Sequence, residues 1–338
     1  MKQKALIICP GRGTYNKEEL GYLKRYHADK QDFIGAVDGY RAKKNQKTVS
    51  ELDNAERFVL SDHSRGDNAS PLIYACAYAD YLSIDRDKYD VAAITGNSMG
   101  WYIALGCGEA AADLNALHIL NTTGTMMQET LIGGQMIYSL VDENWRAIPE
   151  RRDMLMALID EIEDLYVSIE LGGMLVFGGS VEALAELEKK LPPEGKFPMR
   201  LQNHAAFHTR LLRPISERAR TALNDNLFRR PGVPLIDGRG HIWQPHSTGA
   251  RELWDYTLGH QMYKYYDFTA AVQTGAKEFA PDRVIILGPG ATLGGAVAQS
   301  LIGINWQGWK SKEDFIARQK SDPYILAMGM EEQRKLVV

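Results

Sequence analysis

The residues best suited to chemistry form one segment, Gly96-Asn97-Ser98-Met99-Gly100. An apolar run at 91–95 precedes it and a helix-like run at 101–105 follows it, which predicts a strand, a tight turn and a helix with Ser98 on the turn. The glycines permit the sharp reversal of a nucleophile elbow, which exposes the serine hydroxyl. Backbone N–H groups at the start of the helix can stabilise the oxyanion that forms when serine attacks an ester or a thioester.

A nucleophilic serine needs a base, and His208 is the best candidate among the eight histidines. It lies in the segment 203–210, directly after a strand predicted at 197–202. That strand is the last one of a segment inserted into the main domain, so His208 lies at a junction between domains, where clefts form. The same residue also fits a histidine that caps a helix beginning near Thr209. Spacing alone leaves both interpretations open. His204, four residues earlier, is interpreted as a surface or loop residue.

The elements around these residues predict an α/β fold. Buried strands are expected at 5–9, 91–95 and 283–287, with helical segments between them, which is typical of a parallel, α/β-hydrolase-like sheet. The middle of the chain reads as strand, helix, two strands, helix and strand, the βαββαβ order of a ferredoxin-like unit. We therefore predict a main domain with an inserted ferredoxin-like subdomain.

The same pattern sets the expected domain boundaries. Residues 1–132 and 203–302 form the main domain, and residues 133–202 form the ferredoxin-like subdomain. Residues 303–338 are expected to be an amphipathic C-terminal tail that packs on the surface.

Composition excludes several classes of partner. The formal net charge of −4 predicts no general attraction to nucleic acid or to an anionic membrane. Three scattered cysteines make no disulfide framework and suit a reducing compartment, so we expect a cytoplasmic protein. No stretch reaches the roughly 20 apolar residues of a membrane span. No metal site is predicted.

Six different short motifs follow one another along the chain. They are Pro10-Gly11-Arg12-Gly13, Gly96–Gly100, Gly124-x-x-Met127-Gln128, Phe207-His208, Gln261-Met262-Tyr263 and Gly288-Pro289-Gly290. Their order and spacing resemble those of the malonyl-CoA:acyl-carrier-protein transacylases and the acyltransferase domains of polyketide synthases, over roughly residues 5–300. An inserted ferredoxin-like subdomain is also a feature of that family.

The resemblance implies a ping-pong acyltransferase of fatty acid or polyketide biosynthesis. Ser98 would carry the acyl group, His208 would be the base, and the backbone carbonyl of Gln261 would orient the histidine ring. The backbone N–H groups of Arg12 and Met99 would form the oxyanion hole. The resemblance implies no bound cofactor: acyl-CoA is the substrate, and the phosphopantetheine thiol of an acyl carrier protein is the acceptor.

The expected substrate-binding residues are those at which the chain departs from the family pattern: Arg12, Ser70, Asn97, Trp101 and Thr123. Thr123 stands where the family has the arginine that binds the malonyl carboxylate. Two outcomes follow from this change. Either the pocket prefers an uncharged acyl group, or Arg12 supplies the missing cation from another direction.

Two other functions fit the sequence less closely. A serine hydrolase or an editing thioesterase would pass the acyl group to water, and in a patatin-like enzyme Asp237-Gly238 would assist the serine. A non-catalytic relative would bind a carrier protein without turnover, although the presence of both Ser98 and His208 argues against this alternative.

Overall fold

The computed structural model describes all residues from 1 to 338. Eleven strands are numbered along the chain: β1 Gln3–Cys9, β2 Tyr89–Gly96, β3 Gly134–Ser139, β4 Leu165–Leu171, β5 Met174–Gly179, β6 Met199–Leu201, β7 Leu235–Ile236, β8 Ile242–Trp243, β9 Tyr266–Asp267, β10 Arg283–Ile286 and β11 Ile325–Ala327.

The α-helices are α1 Tyr22–Tyr26, α2 Gln31–Ala42, α3 Val49–Asp53, α4 Leu60–His63, α5 Gly66–Leu82, α6 Gly100–Cys107, α7 Asp113–Thr130, α8 Pro149–Glu161, α9 Val181–Lys190, α10 Arg213–Ala222, α11 Ala250–Asp255, α12 Gln261–Tyr263, α13 Phe268–Phe279, α14 Gly294–Ile302, α15 Lys312–Ser321 and α16 Glu331–Arg334. A π-helical turn, Tyr256–His260, joins α11 to α12. None of the helices is both long and apolar enough to cross a membrane.

The main sheet has six strands in the order β11-β10-β1-β2-β7-β8. All neighbouring pairs are parallel except β7 and β8. The central strand β1 is buried from Ala5 to Cys9, which explains its unbroken apolar run, because helices cover both faces of a parallel sheet. The predicted parallel sheet is confirmed.

The second sheet has five strands in the order β6-β3-β5-β4-β9. Its first four strands come from the insert and pair antiparallel, which gives the predicted ferredoxin-like unit. The fifth strand, β9, comes from the main domain and pairs parallel with β4. Strand β9 is not predictable from the sequence, because two residues carry no periodicity. This pairing joins the subdomain to the main domain beside the active site.

The C-terminal segment differs from its prediction as a surface tail. Strand β11 pairs in parallel with β10 and so forms one edge of the main sheet. Farther along, the buried side chain of Arg334 forms an ion pair with Asp80 of α5. A three-residue strand is too short to predict from its pattern, and the partner of Arg334 lies far away in the sequence. Residues 303–338 are therefore part of the main domain.

Two turns meet at one edge of the main sheet and position the site. Cys9 and Gly96, the last residues of β1 and β2, are direct neighbours in the parallel register. The segments that leave these strands, 10–13 and 97–100, therefore lie side by side at the carboxyl edge. In open α/β sheets, ligands bind at this edge.

Candidate active site

The elbow holds Ser98 in a strained conformation. Its φ is 53°, in the left-handed region that residues with a side chain rarely adopt. A Cβ atom at Gly96 would overlap the backbone of Gly100, and a Cβ at Gly100 would overlap the carbonyl of Cys9. Both glycines are therefore required by close backbone approach, as a nucleophile elbow demands.

Ser98, His208 and Gln261 form a connected group. The Oγ of Ser98 lies 2.7 Å from Nε2 of His208, and Nδ1 of His208 lies 2.7 Å from the backbone carbonyl oxygen of Gln261. The side chain of Gln261 also donates a hydrogen bond of 2.9 Å to the carbonyl oxygen of Ser98. One glutamine therefore contacts both the base and the nucleophile turn.

The carbonyl of Gln261 sets the tautomer of His208. A carbonyl oxygen only accepts, so Nδ1 carries the proton and Nε2 keeps the lone pair that faces the Ser98 hydroxyl. Burial lowers the pKa of His208 to about 4, although the bond to Gln261 acts in the opposite direction. The ring is neutral near pH 7 and ready to accept a proton.

The two predicted oxyanion-hole donors are free. Neither the backbone N–H of Arg12 nor that of Met99 donates to another protein group. Arg12 lies on the turn after β1, and Met99 directly follows the serine in the elbow. Unpaired backbone donors beside a nucleophile are available for a developing negative charge.

A small cavity of about 40 Å³ opens beside the Ser98 hydroxyl. A single water needs roughly 10–15 Å³ of such volume, so the cavity takes roughly three non-hydrogen atoms. Helix α7 forms much of its wall, and Ser70 of α5 also lines it. Four of the predicted oxyanion-hole and substrate-binding residues line the cavity: Arg12, Ser70, Met99 and Thr123. The other side chains of the wall are largely apolar: Tyr102, Leu120, Met127, Phe207 and Met262.

Thr123 and Arg12 decide the polarity of this small cavity. The hydroxyl of Thr123 donates to the backbone carbonyls of Ile119 (2.9 Å) and Leu120 (3.2 Å), within its own helix. Arg12 forms no ion pair, and its buried Nε has no hydrogen-bond partner. Burial lowers the pKa of Arg12 to about 10, so the side chain remains a cation near neutral pH.

The rest of the Arg12 guanidinium is anchored. Its Nη2 donates to the backbone carbonyls of Ser64 and Asn203, at 2.8 Å and 2.9 Å. The guanidinium carbon also lies 5.5 Å from the centre of the Phe207 ring. These contacts hold the cation at the wall of the small cavity.

A larger cavity of about 300 Å³ leads away from Ser98, between the ferredoxin-like sheet and the main domain. Asn97 lines it, and the buried Oδ1 of Asn97 has no hydrogen-bond partner. His204 also lines this cavity: it lies in a loop, as interpreted, but its side chain is partly buried and faces the cavity rather than the outer surface. Ser98 thus stands between a short pocket and a longer channel.

Two residues considered in the sequence analysis lie elsewhere. Trp101 lines neither cavity: its ring is fully buried, and its Nε1 donates to Thr257 at 2.9 Å. It was predicted to bind substrate, but the helix turns its side chain into the core. Asp237 is also fully buried and accepts from Nε1 of Trp243 at 3.0 Å, so it does not serve Ser98.

Two tyrosines support the site without having been predicted. The hydroxyl of Tyr256 donates to Oε1 of Gln261 at 3.0 Å, which orients the amide toward Ser98. The ring centre of Tyr266, on β9, lies 5.0 Å from that of His208, and the hydroxyl of Tyr266 donates to the backbone carbonyl of Gly96. Neither residue lies in a motif, and only the fold brings them here. No group of three or more histidine, cysteine, aspartate or glutamate residues could hold a metal ion.

Comparison with known proteins identifies similar sequences. No family model matches the chain. A malonyl CoA-acyl carrier protein transacylase of Buchnera aphidicola is 24% identical over 235 residues, which cover 68% of this chain and 73% of that protein. A type I phenolphthiocerol synthesis polyketide synthase of Mycobacterium marinum is 21% identical over 310 residues, which cover 88% of this chain but 14% of the synthase.

Solved structures share the fold. The malonyl-CoA:ACP transacylase of Synechocystis sp. PCC 6803 has a TM-score of 0.77 and 14% identity over 100% of both chains. A malonyl-transacylase solved in complex with its type II polyketide synthase acyl-carrier protein has a TM-score of 0.70 and 16% identity, over 89% of this chain and 93% of that one. The fold and the resemblance predicted from the motifs are confirmed.

Proposed function

We propose that this chain, which is similar to the malonyl-CoA:acyl-carrier-protein transacylases, transfers a short acyl group from coenzyme A to a carrier-protein thiol through an ester on Ser98. The observation that carries the proposal is the contact of 2.7 Å between Ser98 Oγ and His208 Nε2, on a strained elbow at the mouth of two cavities. The class of enzyme is an acyltransferase.

In the first half-reaction, Ser98 Oγ attacks the thioester carbonyl carbon while its proton moves to Nε2 of His208. The carbonyl oxygen gains a negative charge, which the backbone N–H groups of Arg12 and Met99 stabilise. One such donor is typically worth about 10²–10³ in rate. The C–S bond then breaks, and the leaving thiolate takes the proton from His208, which returns to its neutral form.

The second half-reaction runs these steps in reverse with a new thiol. The acceptor thiol gives its proton to His208, its sulfur attacks the Ser98 ester, and the Ser98 oxygen takes the proton back. The larger cavity, of about 300 Å³, offers a channel for the arm that carries the thiol. A structural neighbour solved with its own acyl-carrier protein supports a carrier protein as the partner.

The acyl group is best explained as a short chain that ends in a carboxylate. The cavity beside Ser98 takes roughly three non-hydrogen atoms. The hydroxyl of Thr123 is committed to its own helix, whereas Arg12 brings a cation without a carboxylate partner. This cation is partly buried, and a carboxylate on the acyl group would give it a charge-assisted hydrogen bond.

Partition of the acyl-enzyme tests transfer against hydrolysis. The protein is loaded with malonyl-CoA, freed of excess donor, and divided between buffer alone and buffer with a phosphopantetheinylated carrier protein. We expect loss of the acyl group to be at least tenfold faster with the carrier, and the acyl mass to appear on the carrier. Equal rates of loss in the two samples would favour a hydrolase.

A further inference from the structure

A chain of three hydrogen bonds joins His204 to the loop that carries the catalytic histidine. Nδ1 of His204 lies 2.7 Å from Oε1 of Gln135, and Nε2 of Gln135 donates to Oγ of Ser168 at 2.6 Å. Oγ of Ser168 donates in turn to the backbone carbonyl of Phe207 at 2.7 Å. Phe207 directly precedes His208. We call these three side chains, His204, Gln135 and Ser168, the relay.

The direction of the relay follows from the number of protons available. The hydroxyl of Ser168 has one proton, which it gives to the Phe207 carbonyl, so it must accept from Gln135 Nε2. Gln135 then presents Oε1 to His204, and an amide oxygen only accepts. Nδ1 of His204 therefore carries the proton of that ring. Burial and the nearby charge of Arg12 lower the pKa of His204, which leaves the ring neutral and Nε2 unprotonated.

The relay comes from the ferredoxin-like subdomain. Gln135 lies on β3 and Ser168 on β4, and both side chains are buried. Ser168 sits at a register shift between Val167 and Ile169, where β4 departs from regular pairing with β5. Bulges of this kind redirect a side chain. Here the redirected hydroxyl reaches across to the main domain.

Two residues that line the larger cavity, His204 and Asn97, each have an acceptor atom without a protein partner. His204 lines this cavity, and its ring makes a hydrogen bond to the protein only through Nδ1, so Nε2 has no protein partner. Asn97 lines the same cavity, and its buried Oδ1 also has no partner. A ligand that contacts Nε2 of His204 must bring a donor rather than an acceptor. The secondary amides of a pantetheine arm carry N–H groups of this kind.

We propose that Nε2 of His204 accepts a hydrogen bond from an amide N–H of the pantetheine arm, and that Gln135 and Ser168 are positioning residues that fix His204 in the required tautomer. This inference rests on the proposed function, because it assumes that a pantetheine thioester reaches Ser98. It assigns His204 to substrate binding, not to the proton transfers, which belong to His208.

A pair of small donors tests the inference. The first is the malonyl thioester of N-acetylcysteamine, and the second is its ester analogue, in which oxygen replaces the amide N–H. The ratio of kcat/KM for acylation of Ser98, amide over ester, reports the hydrogen bond from the N–H group, and comparison of this ratio between variants cancels the other differences between the two donors. Misfolded protein lowers both rates equally, so the ratio does not depend on the fraction of active enzyme.

We expect the wild-type protein to prefer the amide by about tenfold, as the loss of one hydrogen bond predicts. His204→Phe should bring the ratio close to one, whereas the control His246→Phe, which replaces an exposed histidine outside both cavities, should keep it. Ser168→Ala should lower the ratio without touching the cavity, because Gln135 can then rotate its amide, and Ser168→Thr should restore it.

Two results would overturn the inference and leave the proposed function intact: a wild-type ratio of one, or an unchanged ratio in both His204→Phe and Ser168→Ala. Failure of the wild-type protein to become acylated by either donor would instead remove the proposed function and the inference together.

Discussion

The side chain of Gln261 donates a hydrogen bond of 2.9 Å to the carbonyl oxygen of Ser98. The backbone carbonyl of the same glutamine binds Nδ1 of His208 at 2.7 Å. A single residue thus stabilises the strained nucleophile turn and orients the base. No carboxylate is needed in the position where a catalytic triad has one, because a carbonyl fixes the tautomer equally well.

Gln261→Met removes the side-chain hydrogen bond to the carbonyl oxygen of Ser98 but keeps the backbone carbonyl that orients His208. We expect acylation of Ser98 to slow by roughly tenfold. The free energy of unfolding should fall by about 2 kcal/mol, because the side-chain hydrogen bonds to Ser98 and from Tyr256 are both lost. Stopped-flow acylation and urea unfolding measure the two effects. Gln244→Met, at an exposed position, is the control and should change neither quantity.

Arg12→Met removes the cation from the small cavity and keeps the backbone N–H of the oxyanion hole. If Arg12 binds the acyl carboxylate, kcat/KM for malonyl-CoA should fall by about 10–100-fold relative to acetyl-CoA, the size of a charged hydrogen bond. The competing outcome, an unchanged ratio of the two substrates, would favour the neutral acyl groups that Thr123 allows. Arg57→Met, at an exposed position, is the matched control.

The pH dependence of acylation reports the protonation of His208. Burial lowers its pKa from an ordinary value of 6.5 to about 4, so the ring stays neutral, and active as a base, as the pH falls through 6.5. We expect kcat/KM to stay level between about pH 5.5 and 7.5 and to fall only as the pH approaches about 4. Assay at pH 7.5 after incubation at each pH separates this protonation from unfolding. A midpoint near 6.5 would show that the ring is not held neutral.

Gly100→Ala tests the close approach of the elbow to β1. The added Cβ would overlap the carbonyl of Cys9, and overpacking of this kind costs about 1–3 kcal/mol. We expect a lower midpoint of thermal unfolding and slower acylation. Gly294→Ala is the comparison, because a Cβ at Gly294 meets nothing within 4 Å. Equal stability of the two variants would contradict the strained-elbow account.

The sequence predicted those parts of the molecule that short segments determine. The elbow, the buried strands at 5–9 and 91–95 and the βαββαβ order depend on local glycines and local periodicity, and the two strands were placed within two residues of β1 and β2. The resemblance to the acyltransferase family likewise singled out His208 and Gln261. Local patterns did not predict which side chains near the nucleophile are buried in the core. Trp101 follows the nucleophile closely in sequence, but the helix turns its ring into the core.

Long-range contacts escaped prediction. Tyr266 reaches His208 only through the pairing of β9 with β4, and two residues give no strand signal. The position of Arg334 against Asp80 depends on a partner 254 residues away. The relay from His204 to Ser168 crosses the boundary between subdomain and main domain, so no segment of sequence contains it.

The most direct test of the central claim is the intact mass of the protein after brief exposure to malonyl-CoA. We predict that the wild-type protein gains one malonyl group, located on Ser98 by peptide mapping. Ser98→Ala should gain none, while Ser247→Ala, which replaces an exposed serine, should gain one. A folded wild-type protein that stays unmodified by acyl-CoA donors, or an equal mass gain in Ser98→Ala, would contradict an acyl-enzyme formed on Ser98.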